Sequence, residues 1–308
     1  MLDLKQADFA IEAYRGKLSD SEFERLLFFR SLWAVQSECA ADYADAVTFS
    51  MPSTDELKAC SEASRPVLSS CPAIIPEDAL VDTVARIAAA MAVFDQFDEG
   101  SRDALSRVRW DRIVAASDIA LAGSNPVGYV ETVEALLVDD GLSEAAARMG
   151  ASAMSLALRA LLNPTADAIQ NRRRDEQADQ PYTIGCPVCG SPAAVARVGS
   201  GGKTKGRSRT LWCAQCGCVW DFERVRCARC GTQNQGHLHF FNVEGDDDHR
   251  IATCDECGGY VRTSYEEDTP AASLYPFCFE VEDVVMARLD LIAYRQLVKQ
   301  SEQEPEQA

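Results

Sequence analysis

Four Cys-x-x-Cys pairs crowd the C-terminal third of this chain: Cys186/Cys189, Cys213/Cys216, Cys227/Cys230 and Cys254/Cys257. Two thiolates at i and i+3 on a tight knuckle present both sulfurs to one ion, and two knuckles complete a tetrahedral S4 site. One such pair could cycle as a redox dithiol, but the register of all four argues for metal. Cys189 and Cys213 are separated by 23 residues, as are Cys230 and Cys254, so each cysteine of the first two pairs recurs 41 positions later. The repeat assigns Cys186, Cys189, Cys213 and Cys216 to one ion and Cys227, Cys230, Cys254 and Cys257 to another. Joining the two middle knuckles instead would leave the outer pairs to find each other. A glycine follows the second cysteine of every pair; it suits a turn of positive φ whose N–H groups aim at sulfur. Four thiolates accept zinc or iron alike. Zinc would make the sites structural, and iron would make them rubredoxin-like and redox-capable.

Other chemistry-bearing residues sit close by. Cys218 is an extra thiol beside the first set and reads as a non-ligand. His237, His239 and His249 all fall in the second insert. They could form a third metal site or a proton relay, but each ion already has four sulfurs and His239 lies in a β-like run, so the plainer structural reading is preferred. The first insert carries Arg197, Lys203, Lys205, Arg207 and Arg209, and the second carries Glu244 and Asp246 to Asp248. The basic loop reads as a solvated hairpin tip, with an acidic partner or nucleic acid as the competing reading. No P-loop, GxGxxG, HExxH or GxSxG motif is present, and nothing points to an enzyme.

A unit of about 40 residues buries too little apolar surface to fold easily alone, so metal must supply part of each ribbon's stability. Short β-type runs, Arg209–Trp212, Leu238–Val243 and Tyr260–Thr263, flank the knuckles. Upstream the pattern is helical: a segment from Ser19 to Tyr43 with a capping box at Ser19 and Glu22, then helices over 78–97, 103–122 and 127–138, and another from Ser143 that should end before Asn163-Pro164. Residues 52–76, rich in proline and serine, read as irregular. The expected fold is α+β and multidomain. It comprises an all-α domain over 1–165, a linker over 166–182, two tandem rubredoxin-like or zinc-ribbon-like β modules over 183–224 and 225–266, and a C-terminal region over 267–308. That last region holds a helix at 281–299 and a disordered tail.

The 308 residues carry a formal net charge of −18, which repels phosphate backbones and makes nucleic acid an improbable partner. The N-terminus lacks a signal-peptide core, and no stretch reaches the roughly 18–20 apolar residues of a membrane span. Ten of thirteen cysteines lie between 186 and 278. Without an export signal, that pattern implies metal binding in a reducing cytoplasm rather than disulfides. Cys39, Cys60 and Cys71 stand apart and read as small core residues.

The cysteine region resembles the formate dehydrogenase accessory proteins called FdhE. The resemblance rests on CPVCGSP at Cys186, on Leu211-Trp-Cys-Ala-Gln-Cys216 with Trp220 beyond, and on Arg224-Val-Arg-Cys-Ala-Arg-Cys230. It continues through Leu238-His239-Phe240 and Cys254-Asp-Glu-Cys257 followed by Gly-Gly-Tyr260. Leu26, Phe29, Leu32 and Gln36 resemble the family's N-terminal region more weakly. The C-terminal helix departs from it, since Leu289-Asp290 is followed by Leu-Ile-Ala-Tyr294 without the family's glycine. The resemblance implies a cytoplasmic, non-enzymatic factor that binds the catalytic subunit of a molybdenum- or tungsten-dependent formate dehydrogenase during assembly. It also favours iron over zinc for the two ions. A rubredoxin-like electron carrier and a zinc-ribbon nucleic-acid module are the alternatives.

Overall fold

Serine capping boxes start two of the helices in the N-terminal half. In the computed structural model, which describes residues 2–175, 183–199, 208–265 and 276–303, α1 spans Leu4–Glu12 and α2 spans Asp20–Asp42. The expected box opens α2: Glu22 N donates to Ser19 Oγ, and Ser19 N donates to Glu22 Oε2 at 3.0 Å. The same Ser-x-x-Glu device at Ser53 and Glu56 starts α3 (Thr54–Glu62), followed by α4 (Val67–Ser70). Residues 52–76 are therefore partly helical, a correction that the second capping box explains.

Helix α5 (Glu77–Ala92) is as expected. The single helix foreseen over 103–122 is instead three short ones, α6 (Glu99–Ser106), α7 (Trp110–Ala115) and α8 (Ala120–Ser124). The backbone of Arg109 leaves helical space at φ −87°, ψ 80°, and this turns Trp110, Ile113 and Val114 into the core. Helix α9 covers Pro126–Asp139, and α10 runs from Glu144 to Asp175 straight through Pro164. The stop foreseen before Asn163-Pro164 does not occur, and residue 165 lies inside the helix. An interior proline costs about 3 kcal/mol. The buried side chains of Leu161, Leu162, Ala166 and Ile169 on either side of it hold the helix in place.

The β region is one six-stranded sheet. Its strands are β1 (Val195–Gly199), β2 (Ser208–Trp212), β3 (Val219–Phe222), β4 (Leu238–Val243), β5 (Asp246–Cys254) and β6 (Tyr260–Tyr265), in the order β3-β2-β1-β6-β5-β4. Each ribbon supplies three antiparallel strands, and the parallel pairing of β1 with β6 fuses them. The two ribbons thus follow each other by near-translation rather than facing across a twofold. One sheet face, through Ala196, Leu211, Trp220 and Phe222, joins the core built on α5, α9 and α10. The other, through Val195, Trp212 and Ile251, packs on Met286, Leu289 and Ala293. These belong to the C-terminal pair α11 (Phe279–Val285) and α12 (Ala287–Gln303), where one helix was expected. Helix α11 also packs on α1 and α2 through Val281, Val284 and Val285.

Residues 166–175 of the expected linker belong instead to α10, whose buried Ala166 and Ile169 carry it on; Lys203, Lys205 and Arg207, residues 176–182 and the last residues of the tail lie outside the described residues. No helix among the described residues is long and apolar enough to cross a membrane.

Candidate metal centres

The knuckles are built alike. The glycine after the second cysteine turns at positive φ in all four, and in three of them its N–H returns to the carbonyl of the first cysteine: Gly190 to Cys186 (2.8 Å), Gly217 to Cys213 (2.9 Å) and Gly231 to Cys227 (3.1 Å). The first cysteine's own N–H then reaches a carbonyl beyond the turn: Ser191 for Cys186, Cys218 for Cys213, Thr232 for Cys227 and Gly259 for Cys254. Cys218 enters the structure here as a backbone acceptor. It is buried beside the first cluster without being one of its four sulfurs.

The knuckles meet in the pairs that the 41-residue repeat assigns. Cys186, Cys189, Cys213 and Cys216 bring their sulfurs within 4.8 Å of one another, and so do Cys227, Cys230, Cys254 and Cys257. Two sulfur pairs in the first set stand 3.5 Å apart, and two in the second stand 3.8 Å apart. Sulfurs on a tetrahedral ion with bonds of about 2.3 Å would sit about 3.8 Å apart. Both sets fit one ion each, and both are far too open for a disulfide.

The surroundings differ sharply. The first set is buried throughout. Asn163 Nδ2 donates to Cys216 O (3.0 Å), Arg159 Nη1 to Ala214 O (2.7 Å), and Ser155 and Gln215 bond each other in both directions. On the other knuckle, the N–H groups of Val67 and Leu68 in α4 donate to the carbonyls of Pro187 and Val188. Burial pushes the Cys186 and Cys216 thiols up. At Cys213 burial acts the same way, but hydrogen bonds from the neighbouring thiols outweigh it and bring this thiol's pKa down. Arg173 brings a largely desolvated guanidinium toward Cys218 and Cys186, a compensating charge for a thiolate cluster.

In the second set Cys230 and Cys257 are exposed. Burial raises the Cys227 thiol less than the N–H groups of Cys230 and Arg229 lower it, and its pKa settles at about 7; those donors lie 3.4 and 3.3 Å from its sulfur. Burial carries Cys257 up to about 12. The ties of this ribbon lie elsewhere. His249, which sequence reading left without a role, is buried between Asp246 and Glu282, with nitrogen–oxygen distances of 3.0 and 2.8 Å. Tyr14 also donates to Glu282, and Arg288 to Asp246. Burial alone would lower the pKa of His249; the two carboxylates win and push it up to about 9. The other two histidines do not join it: His239 pairs with Asp255 at the surface and His237 ends a short 3-10 turn whose N-cap is Asn234.

Sequence reading missed the residues that clamp the first set. Ser155, Arg159, Asn163 and Gln170 interrupt the largely apolar middle of α10 at near-helical spacing. Such polar residues on a buried face are the signal that could have found them.

A helical domain clamped to a fused pair of four-cysteine ribbons defines the class of protein. No family model matches the chain. Curated relatives match over part of it. A protein named FdhE homolog from Pseudomonas aeruginosa is 35% identical over 88 residues, covering 27% of this chain and 28% of that protein. A second with that name, from Aquifex aeolicus, is 30% identical over 112 residues, covering 36% and 37%. The crystal structure of the FdhE protein from Pseudomonas aeruginosa shares the fold along nearly the whole length, with a TM-score of 0.58, 16% identity, and coverage of 95% of this chain and 91% of that one. The chain is thus similar to FdhE proteins in its cysteine region, where the match spans about a quarter to a third of those relatives' length, and it shares the fold of one along nearly its whole length.

Proposed function

We propose that this protein is a non-enzymatic accessory factor that binds the catalytic subunit of a molybdenum- or tungsten-dependent formate dehydrogenase while that enzyme is assembled in the cytoplasm. The observation that carries this is the pair of tetracysteine clusters on a single sheet that is fastened to a helical domain, in a chain similar to FdhE proteins. Cys186, Cys189, Cys213 and Cys216 hold one ion and Cys227, Cys230, Cys254 and Cys257 hold a second, with iron preferred to zinc. The metals supply rigidity, and iron at the exposed second site would add redox response. The helical domain and the ribbons act as the functional units. The test has two arms. Metal analysis and an absorption spectrum of anaerobically purified protein should give two iron equivalents with visible thiolate-to-metal bands. Immobilised metal-loaded protein should retain a formate dehydrogenase catalytic subunit, and failure to do so would reject the accessory reading. The exposure of Cys230 and Cys257 favours a second reading, an electron carrier, which requires reversible one-electron reduction by a reductase.

A further inference from the structure

The 41-residue repeat is also a repeat of strand register, and it breaks in one place. In the first ribbon Leu211 pairs with Trp220, and together with Phe222 they fill one sheet face against the helical core. The residues 41 positions later are Ala252, Val261 and Thr263, with Ala252 paired to Val261 in the same way. Each is smaller than its counterpart. The result is a hollow of about 290 Å³ that no described residue of an α-helix lines. Leu238, Phe240 and Tyr265 contribute apolar lining, exposed Arg224 and Arg229 and half-buried Arg226 line it as well, and buried Arg209 donates to Arg226 O from within it. Phe240 is 59% exposed.

The sheet's two outer edges differ as well. At β3 the carboxamide of Gln170 acts as a surrogate strand: its Nε2 donates to Val219 O (2.7 Å), and its Oε1 accepts from Val219 N. At β4 no described strand pairs with the outer edge. Asp255 N donates to His237 O, so alternation turns His239 and Phe241 toward β5 and leaves the N–H and C=O groups of Phe240 and Asn242 pointing outward. The regular ladder from Leu238 to Asn242, ahead of the bulge at Asn242/Val243, is long enough to template another strand.

We propose that β4 accepts an extended acidic segment of a partner protein as a seventh strand, with alternate side chains entering the arginine-lined hollow. Main-chain bonds to an open edge give affinity and pockets for alternate side chains give specificity. Apolar walls beside guanidinium groups match a peptide that alternates apolar and carboxylate side chains. A polyphosphate would leave those walls unused and would face a chain of net charge −18. This inference rests on the groove and the edge alone, so its failure leaves the accessory reading intact.

The experiment uses the full-length, metal-loaded protein and a fluorescein-labelled peptide alternating glutamate with valine, followed by anisotropy. A lysine–valine peptide and a single-stranded oligothymidylate serve as comparison probes. The acidic peptide should bind and the other two should not. Arg224→Glu reverses an exposed charge in the lining, and Asn242→Pro removes one outward N–H from an edge strand, where proline is tolerated. Each should weaken binding about tenfold or more, with circular dichroism and metal content unchanged. The proposal is overturned by no binding of the acidic peptide, by binding that neither variant weakens, or by preference for the oligothymidylate. Sedimentation showing a dimer that Asn242→Pro dissolves would also overturn it, assigning the edge to a second copy.

Discussion

The two tetracysteine clusters share a knuckle design, a sulfur spacing and a sequence repeat, yet one is locked into the molecule and the other faces solvent. The first is gripped by hydrogen bonds from α4 and α10 and lies within the main hydrophobic core. The second exposes two of its four cysteines and is tied to the rest of the protein through the opposite face of its sheet, by His249 and its carboxylates. Identical ligand sets can therefore do different work. A buried cluster can hold two domains together, and an exposed one remains open to exchange, oxidation or a partner.

The largest expected difference comes from removing one ligand at each site. Cys216→Ser should release one metal equivalent and lower the thermal midpoint by roughly 10 °C or more, because sheet and helical domain separate together. Cys257→Ser should also release one equivalent but shift the midpoint by only about a third as much. Equal shifts, read by calorimetry beside metal analysis, would erase the distinction.

His249 reports on how the second ribbon is held. His249→Leu leaves the Asp246 and Glu282 carboxylates buried without their shared cation and should cost about 3–5 kcal/mol in denaturant unfolding. Its pKa is raised, to about 9 from an ordinary 6.5. The stabilisation is therefore complete below about pH 6.5 and lost as pH rises through about 9, an effect of roughly 3 kcal/mol. Unfolding titrations between pH 6 and 10 should show this loss in the native sequence and a flatter profile in His249→Leu.

A smaller contrast lies at the knuckle glycines. Gly217 turns at φ +81° and an added Cβ would lie 2.4 Å from Asn163 Nδ2, whereas Gly258 turns at φ +64° with nothing within 4 Å. Gly217→Ala should cost about 2–3 kcal/mol and break the bond from Asn163 to Cys216 O, against about 1 kcal/mol for Gly258→Ala. Smallest of all, Gln170→Leu uncovers the edge of β3 and should cost about 1 kcal/mol.

The cluster assignments were readable from spacing because ligand geometry is local: a knuckle needs only its own few residues, and the 41-residue repeat pairs the knuckles. The inequality of the sites was not readable from the cysteines, which repeat faithfully. It is written instead in residues far away along the chain. Arg159 and Asn163 come from a helix that Pro164 was expected to end, and propensity lost there to the burial of Ala166 and Ile169. The three helices in place of one over 103–122 turn on the backbone of Arg109, which no periodicity announces. The substitutions of Leu211, Trp220 and Phe222 by Ala252, Val261 and Thr263 were visible in the repeat, but only the sheet register shows that they share a face. The ion cluster at His249 was not readable because its partner Glu282 lies beyond the second ribbon.

The two four-cysteine sets share a ligand set and differ most in their exposure. Chelator-driven release from the metal-loaded protein, followed by a colorimetric indicator, tests it directly. Two phases of one equivalent each are expected, with the fast phase absent in Cys257→Ser and the slow phase retained. A single phase, or a Cys257→Ser protein that retains only the fast one, would contradict it.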